Sequence, residues 1–217
     1  MCKVIGIDEA MEYIKDGMTI MIGGFMGVGT PKILIEGILK KGVKDLTIIA
    51  NDTALPDKGV GKLIVNKQIK KVITSHIGLN PETGRQMHAK ELEVELIPQG
   101  TLAEQIRCGG AGIGGFLTAT GVGTIVEEGK QKMKIGDNEY LLELPLRADV
   151  ALIRGSIADK QGNISYNAST RNFNPLMATA ADVVLAGVER IVEVGEIDSN
   201  YVMTPGIFVN YIVGGEK

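Results

Sequence analysis

The stretch that decides the fold runs from Thr19 to Gly42 and reads TIMIGGFMGVGTPKILIEGILKKG. Its first residues are apolar, as in a buried strand, and its last dozen place apolar side chains at the spacing of one helix face. Thr30 is expected to cap this helix, with Pro31 at its first position and Gly42 just past its end. The turn between strand and helix holds four glycines within residues 23–29. The segment therefore predicts a strand, a glycine-rich turn and a helix.

Short apolar runs and helix-like segments alternate along the rest of the chain. Apolar runs predict strands at residues 45–52, 70–78, 91–100, 138–146 and 148–157, and a strand-like run closes the tail at 201–215. Amphipathic segments predict helices at residues 59–69 and 101–110, the second with Thr101 as its cap. A helix end followed by another strand is expected at 180–191. Strands that alternate with helices predict an α/β fold with a largely parallel sheet.

The composition limits the kinds of protein that this chain can be. With 217 residues and 44% apolar content it can bury a core, and residues 1–217 are expected to form one domain. The net charge of -3 comes without a cluster of Lys and Arg, which argues against nucleic acid as a partner. No run of roughly 18 apolar residues and no signal-peptide pattern occur, so a cytoplasmic protein without membrane contact is expected. Cys2 and Cys108 are expected to be reduced thiols.

The glycine-rich turn is the candidate binding site. In an open α/β sheet, ligands bind beyond the carboxyl ends of the strands, and this turn follows such an end. Glycines admit positive φ and leave main-chain N–H groups uncovered, while a helix N-terminus attracts anions. A phosphate loop is excluded because Thr30 and Pro31 follow the last glycine, and a dinucleotide fingerprint is excluded because Lys32 stands where it needs glycine. The alternative is that these glycines only permit tight packing of strand against helix.

Several motifs together resemble one known family. Residues 16–31, DGMTIMIGGFMGVGTP, resemble the α-subunit pattern of family I coenzyme A transferases: Asp-Gly, apolar residues, Gly-Gly-Phe, then Gly-x-Pro. The likeness continues through IIANDTA, VNKQIKKVITSHIG, ELEVELIPQGTLAEQIRCGGAGIGGFLTATGVGT, ELPLRADVALIRGS and RNFNPLMATAAD, which is nearly the whole chain. It is nearest to the α chains that act on acetate, butyrate and acetoacetate. The resemblance implies an open, largely parallel α/β sheet with helices on both faces.

The resemblance also implies a reaction and a partner. Members of the family move coenzyme A (CoA) from an acyl-CoA to a free carboxylate by a ping-pong reaction, in which a glutamate forms covalent intermediates. That glutamate lies in a Ser-Glu-Asn-Gly segment of the β subunit, and this sequence contains no such segment. No catalytic residue is therefore expected in this chain. A β subunit, commonly in an α2β2 assembly, is expected to supply the glutamate, with CoA as a substrate and no permanently bound cofactor.

The same resemblance assigns candidate binding residues. The loop that matches the family's CoA-binding stretch comprises Gly24, Phe25, Met26, Gly27, Val28, Gly29 and Thr30. It is expected to offer backbone N–H groups to the thioester end of CoA, to its phosphates or to the acyl oxyanion. Asn51 and Gln99 are candidates for the acyl pocket because each follows a predicted strand. The alternative for these two amides is that they cap turns.

The other polar residues give less specific signals. Asp52 is expected to hold a loop, and a second glycine run, residues 109–123, is expected either to line the same crevice or to form a flexible cover. His76 and His88 have no Cys or carboxylate at ligand spacing, so no metal site is expected. The alternative function is a non-catalytic ligand-binding or regulatory domain of the same broad fold.

Overall fold

The computed structural model describes residues 2–214 and shows alternating strands and helices. The helices are α1 (Ile7–Met11), α2 (Lys32–Lys41), α3 (Val60–Val65), α4 (Pro81–His88), α5 (Gln99–Ala111) and α6 (Asn174–Met177). The strands are β1 (Lys3–Val4), β2 (Thr19–Ile22), β3 (Leu46–Ile49), β4 (Ile69–Thr74), β5 (Glu93–Leu96), β6 (Phe116–Thr118), β7 (Lys132–Ile135), β8 (Asn138–Glu143), β9 (Ala148–Asp159), β10 (Ile164–Ser165), β11 (Ala181–Val192) and β12 (Tyr211–Gly214).

Nine of the described strands form one sheet in the order β1-β12-β11-β9-β2-β3-β4-β5, with β10 paired to β9. The pairs along this path are parallel, and β10 runs antiparallel to β9. The expected α/β fold with an open, largely parallel sheet is therefore confirmed. Of the strand expected at 201–215, only Tyr211–Gly214 forms a strand, β12, because Gly206–Phe208 forms a 3-10 turn, and Gly215 lies outside the described residues. Strand β2 lies in the middle of the sheet, between β3 and β9.

Side chains on the two faces of the main sheet fill two separate hydrophobic clusters. Along β2, Ile20 and Ile22 belong to one cluster and Met21 to the other, as the two-residue period of a strand requires. The first cluster includes residues of α1, α2 and α3, and the second includes residues of α5 and α6. Burying one such side chain fully contributes about 1.5–3 kcal/mol, so these contacts fix the position of β2. Helices therefore cover both faces, as expected.

A second sheet of three antiparallel strands, in the order β6-β8-β7, was not expected as a separate unit. Its attachment to the main body is partly polar. Glu143, at the end of β8, is 2% exposed, and its carboxylate accepts hydrogen bonds from Lys130 Nζ at 2.6 Å and from Gln105 Nε2 at 3.0 Å. The bond from Gln105 connects the small sheet to α5.

Two helices begin at residues other than the expected caps. Helix α2 begins at Lys32, with Pro31 rather than Thr30 in the cap position, and α5 begins at Gln99 rather than after Thr101. In both helices the residue before the first helical residue is a proline in an extended conformation. Proline lacks an N–H and disfavours helical backbone in the residue before it, so the chain turns there without a side-chain cap. The expected end of α2 is confirmed, because Gly42 adopts a left-handed conformation with φ 73°.

Candidate active site

The carboxyl ends of four neighbouring parallel strands, β2 to β5, meet at one edge of the main sheet. Within three residues of these ends lie Gly23 after β2, Asn51 after β3, Ser75 after β4 and Gln99 after β5. The crevice outside such an edge is where open α/β sheets bind ligands. We call this edge the catalytic edge, and residues 23–30, which cross it, the glycine loop.

The glycine loop folds back on itself as a tight turn. Phe25 and Val28 exchange two backbone N–H···O bonds of 2.9 Å, which leaves Met26 and Gly27 at the tip. The tip residues have φ values of 52° and 82°, the left-handed conformation that two-residue hairpin turns require. Phe25, Met26 and Val28 are 45%, 41% and 47% exposed. The loop therefore presents three apolar side chains at the catalytic edge.

Two asparagines from a distant segment hold the loop on one side. Asn172 accepts the N–H of Gly24 on Oδ1 at 3.1 Å and donates from Nδ2 to the carbonyl of Val28 at 3.0 Å. Asn174, which is fully buried, donates from Nδ2 to the carbonyl of Gly29 at 2.9 Å. Side chains thus replace a neighbouring strand as the hydrogen-bond partner of the loop backbone.

The first two glycines of the loop make room for the protein's own side chains. A Cβ on Gly23 would lie 1.8 Å from Oδ1 of Asn174, and a Cβ on Gly24 would lie 2.0 Å from Oγ1 of Thr30. Both distances are far below van der Waals contact, so a side chain at either position requires its neighbour to move. Close packing at these two glycines is therefore what the structure shows, while their role in binding stays a prediction.

The other two glycines of the loop differ from each other. A Cβ on Gly29 would lie 2.4 Å from the carbonyl oxygen of Thr170, so this position is also crowded by the chain itself. A Cβ on Gly27 would meet Lys58 Cβ at 3.3 Å, a much milder contact. Gly27 is thus required mainly by its positive φ, which glycine adopts without a steric cost.

Asn51 and Gln99, the predicted acyl-pocket residues, lie side by side on the catalytic edge. Gln99 Nε2 donates to Asn51 Oδ1 at 2.7 Å, and Asn51 Nδ2 donates to the carbonyl of Gly24 at 2.8 Å. The Ser75 hydroxyl contacts the Asn51 carbonyl at 2.8 Å and the Oε1 of Gln99. Asn51 is buried and supports the loop, whereas Gln99 is exposed to solvent. Their binding of an acyl group stays a prediction.

The carboxylate of Asp52 holds the tip of the loop on the side of β3. Its Oδ2 accepts the N–H of Met26 at 3.0 Å, and the residue is 3% exposed. Burial raises the pKa of Asp52, while hydrogen bonds from the N–H groups of Met26 and Ala54 and the nearby His76 act in the opposite direction. Asp52 therefore holds a loop, as expected from the sequence.

Few backbone donors of the glycine loop are left for a ligand. The N–H groups that already donate within the chain are those of Gly23, Gly24, Phe25, Met26 and Val28. Among residues 2–214, the N–H groups of Gly27, Gly29 and Thr30 donate to no acceptor. The expectation that the whole loop offers donors is therefore narrowed to these three positions.

Asn172 and Asn174 could not be assigned to this site from the sequence. The segment RNFNP, with two asparagines just before Pro175, predicts a turn by its composition. Asn172 is 148 residues away from Gly24 along the chain. No local pattern states which distant backbone such a turn contacts, so only the fold reveals the pairing.

The second glycine run begins at the other end of the main sheet. Helix α5 starts beside Asn51 at the catalytic edge and ends beside residues 146–148, where β9 begins. A Cβ on Gly109 would lie 1.9 Å from the Leu146 carbonyl oxygen, and one on Gly110 would lie 2.0 Å from Thr179 Oγ1. These two glycines permit close packing of α5, while the role of the rest of the run stays a prediction.

Neither metal ligands nor membrane-spanning helices mark the described part of the chain. Within residues 2–214, no group of three or more His, Cys, Asp or Glu side chains is placed to hold a metal ion. Among the helices that the structure describes, none is long and apolar enough to cross a membrane.

Several transferase subunits are similar to this chain over almost its full length. The alpha subunit of the acetate CoA-transferase of Escherichia coli K12 is 57% identical over 215 residues, which are 99% of this chain and 98% of that protein. The acetoacetyl-CoA:acetate/butyrate CoA transferase alpha subunit of Clostridium acetobutylicum is 54% identical over 211 residues, 97% of each chain. One subunit of the succinyl-CoA:3-ketoacid coenzyme A transferase of Helicobacter pylori J99 is 46% identical, covering 100% of this chain and 94% of that one.

Solved structures share the fold at low sequence identity. An acyl-CoA transferase from E. coli O157:H7, solved as a thioester complex with CoA, matches with a TM-score of 0.87 and 22% identity over 98% of this chain. This chain spans 47% of that protein, about half its length. Glutaconate coenzyme A-transferase from Acidaminococcus fermentans matches with a TM-score of 0.83 and 20% identity, over 97% of this chain and 75% of that one. The family model described as "Coenzyme A transferase" matches residues 4–215. The chain belongs to the coenzyme A transferase family.

Proposed function

We propose that this chain is the α subunit of an enzyme that moves CoA between a short-chain acyl-CoA and a free acid such as acetate, butyrate or acetoacetate. The observation that carries the proposal is the glycine loop of this family member. The loop is held by hydrogen bonds on both sides, and three of its N–H groups donate to no acceptor within residues 2–214. Two of the relatives described above carry acetate in their names, and the name of one of them also includes butyrate and acetoacetyl-CoA.

A separate β subunit supplies the nucleophilic glutamate in this proposal. The Asp52 carboxylate accepts a hydrogen bond from the loop, and its burial and this bond to the Met26 N–H leave it unavailable to attack a thioester. The exposed Phe25 and Val28 beside the loop tip are apolar surface that a partner would cover. Several relatives are named as subunits, and the acyl-CoA transferase of similar fold is about twice as long as this chain. These observations support a heteromer, which we propose to be α2β2.

The proposed reaction conserves every group that it moves. The partner's glutamate carboxylate adds to the acyl-CoA carbonyl, CoA leaves as a thiolate, and an acyl-glutamyl anhydride forms. The thiolate then attacks the glutamyl carbonyl and releases the first carboxylic acid as its anion, leaving a glutamyl-CoA thioester. The acceptor acid repeats these steps in reverse and leaves as the new acyl-CoA. Each addition creates a negatively charged oxygen, which aligned N–H donors stabilise.

The residues on the catalytic edge have separate roles in this proposal. The stretch from Gly24 to Thr30 binds the acyl-CoA, with Met26 at its tip against the pantetheine arm and its free N–H groups on an anionic oxygen. Gln99, which is exposed, donates its amide to the carboxylate of the acid, and Asn51 orients Gln99 through their 2.7 Å hydrogen bond. An amide suits this task because it donates a hydrogen bond without adding charge.

The test is to co-express this chain with the product of the neighbouring reading frame that encodes a Ser-Glu-Asn-Gly segment. The purified complex should transfer CoA from acetoacetyl-CoA, with acetate and butyrate compared as acceptors, and acetoacetate should accept CoA from butyryl-CoA. Each of the two chains alone and a complex whose partner glutamate is replaced by glutamine serve as controls and should be inactive. Strong activity of the pure α chain would refute the division of labour, and an inactive complex would favour a ligand-binding role instead.

A further inference from the structure

The peptide geometry of the glycine loop links two carbonyl groups to two unused donors. In a trans peptide unit the C=O and N–H bonds point in opposite directions, and the described residues contain no cis peptide bond. The carbonyl of Val28 shares its peptide unit with the N–H of Gly29. The carbonyl of Gly29 likewise shares its unit with the N–H of Thr30. A group that fixes either carbonyl therefore fixes the direction of the N–H behind it.

Both carbonyls are fixed by asparagine side chains. Asn172 Nδ2 donates to Val28 O at 3.0 Å, and Asn174 Nδ2 donates to Gly29 O at 2.9 Å. The two N–H groups behind these carbonyls donate to no acceptor within residues 2–214, although Gly29 is buried and Thr30 is only 3% exposed. Backbone N–H groups of buried residues usually have a partner in folded proteins, either protein or ordered water, so these two donors are available to a ligand that replaces such water.

We propose that Asn172 and Asn174 are positioning residues, which aim the consecutive N–H groups of Gly29 and Thr30 at a negatively charged oxygen of the acyl-CoA. The inference rests on the proposed function, because it names the donors of the same loop. Successive backbone N–H groups that point the same way bind anions without a charged side chain. They also stabilise charge that develops during a reaction, provided that they are fixed beforehand.

Asn172 is the better residue for a test because it is only partly buried. Its φ is 22°, a positive value that Asn and Asp tolerate better than other residues with a side chain. Asn172→Asp keeps the shape and the acceptor for the Gly24 N–H, but it places a carboxylate oxygen against the Val28 carbonyl. Asn172→Ala removes both hydrogen bonds to the loop, together with those to the carbonyl of Ser169 and from the N–H of Phe173. Asn167→Ala is the matched control, since Asn167 is exposed in the same segment and makes its hydrogen bonds through its backbone.

The experiment uses the assembled two-subunit enzyme and three measurements. In both Asn172 variants kcat should fall about 10- to 100-fold, with the KM for acyl-CoA within about threefold of wild type, because misplaced donors are lost where charge develops. Hydrogen exchange should become faster in the peptide that covers residues 23–30. The complex should stay folded and assembled at the assay temperature, although its melting temperature falls by up to about 10 °C, and Asn167→Ala should match wild type in all three measurements.

Three results would overturn the proposal: unchanged kcat in the Asn172 variants, unchanged exchange in the loop peptide, or equal effects of Asn167→Ala. Asn174 is fully buried, and its variants are therefore judged by loop exchange only after the complex is shown to assemble. A wild-type complex without transferase activity would instead contradict the proposed function. The failures of the two proposals are thus distinguishable.

Discussion

Replacing Gly23 by Ala tests whether glycine is required at this position of the loop because another side chain of the protein occupies the space of a Cβ. The φ of Gly23 lies outside the left-handed region, so alanine has no backbone penalty at this position. Its Cβ would lie 1.8 Å from Oδ1 and 2.6 Å from Cγ of Asn174. Because the site is fully buried, the carboxamide of Asn174 must move away from its present partners.

The cost follows from the hydrogen bonds that Asn174 would lose. Its carboxamide donates to Gly29 O at 2.9 Å and to Thr170 O at 2.8 Å, and it accepts the N–H of Arg154 at 3.0 Å. Each bond contributes about 1–1.5 kcal/mol, so Gly23→Ala should lower the free energy of unfolding by about 3–5 kcal/mol. For a chain of this length, that corresponds to a fall in melting temperature of about 10 °C.

Urea unfolding followed by circular dichroism measures this difference. Gly84→Ala in α4 is the matched control, since no heavy atom lies within 4 Å of its would-be Cβ. That control should stabilise the protein by about 0.5–1 kcal/mol, the ordinary advantage of alanine over glycine inside a helix.

A double-mutant cycle tests whether the lost stability comes from the clash between the new Cβ at position 23 and the side chain of Asn174. Asn174→Ala removes the group that the new methyl strikes, so Gly23→Ala should cost little in that background, and the two effects should be far from additive. The reasoning is refuted if Gly23→Ala lies within about 1 kcal/mol of wild type, or if the two changes add.

Three further predictions concern the loop tip, the buried carboxylate beside it and the small sheet. Gly27→Val should abolish CoA transfer in steady-state kinetics, because a β-branched residue is strained at φ 82°. Its assembly with the β subunit should remain measurable by gel filtration. Gly27→Asn is the control, since Asn tolerates this φ, and it should retain more activity than Gly27→Val. Burial raises the pKa of Asp52, so its ionised form is disfavoured in the folded state. The free energy of unfolding of wild type, relative to that of Asp52→Asn, should therefore increase as the pH falls from about 7 toward about 4. A difference between the two proteins that stays constant with pH in urea unfolding would contradict this. Lys130→Met leaves the Glu143 carboxylate buried without its cation and should cost about 3 kcal/mol in chemical unfolding, while adding Glu143→Gln should restore at least about half of the loss.

The sequence predicted the main sheet because its strands and helices are locally encoded. The apolar run of β2 and the glycine that ends α2 are visible without any tertiary information. The small sheet was different, because β6 and β7 are short and lie in a region where glycines and charged residues interrupt the pattern. The starts of α2 and α5 were also misplaced, because Thr30 and Thr101 suggest caps by their residue type, whereas Pro31 and Pro98 occupy the cap positions.

The candidate site was predictable in place but not in detail. Strand ends located the glycine loop, Asn51 and Gln99 at one edge, since parallel strands end together. The sequence could not show that the amide of Asn51 donates a hydrogen bond to the loop. Nor could it show that Asn172 and Asn174 donate to the loop from the opposite side. Those contacts depend on long-range packing, which local residue patterns do not encode.

The position of β2 explains why the loop needs polar side chains from both directions. Its neighbours are β3, which leads to Asn51 and Asp52, and β9, beside which the segment with Asn172 and Asn174 packs. Beyond the last ladder bond of β2, the loop backbone pairs with none of the described strands, and carboxamides and one carboxylate bond to it instead. A loop fixed on both sides should be formed before CoA binds, and binding should then cost little ordering entropy. In the substrate-free enzyme, the hydrogen-bonded amides of Gly24 and Met26 should therefore exchange at least about 100-fold more slowly than in an unfolded peptide. Exchange at the unfolded rate would mean that the ligand, rather than the protein, builds the loop.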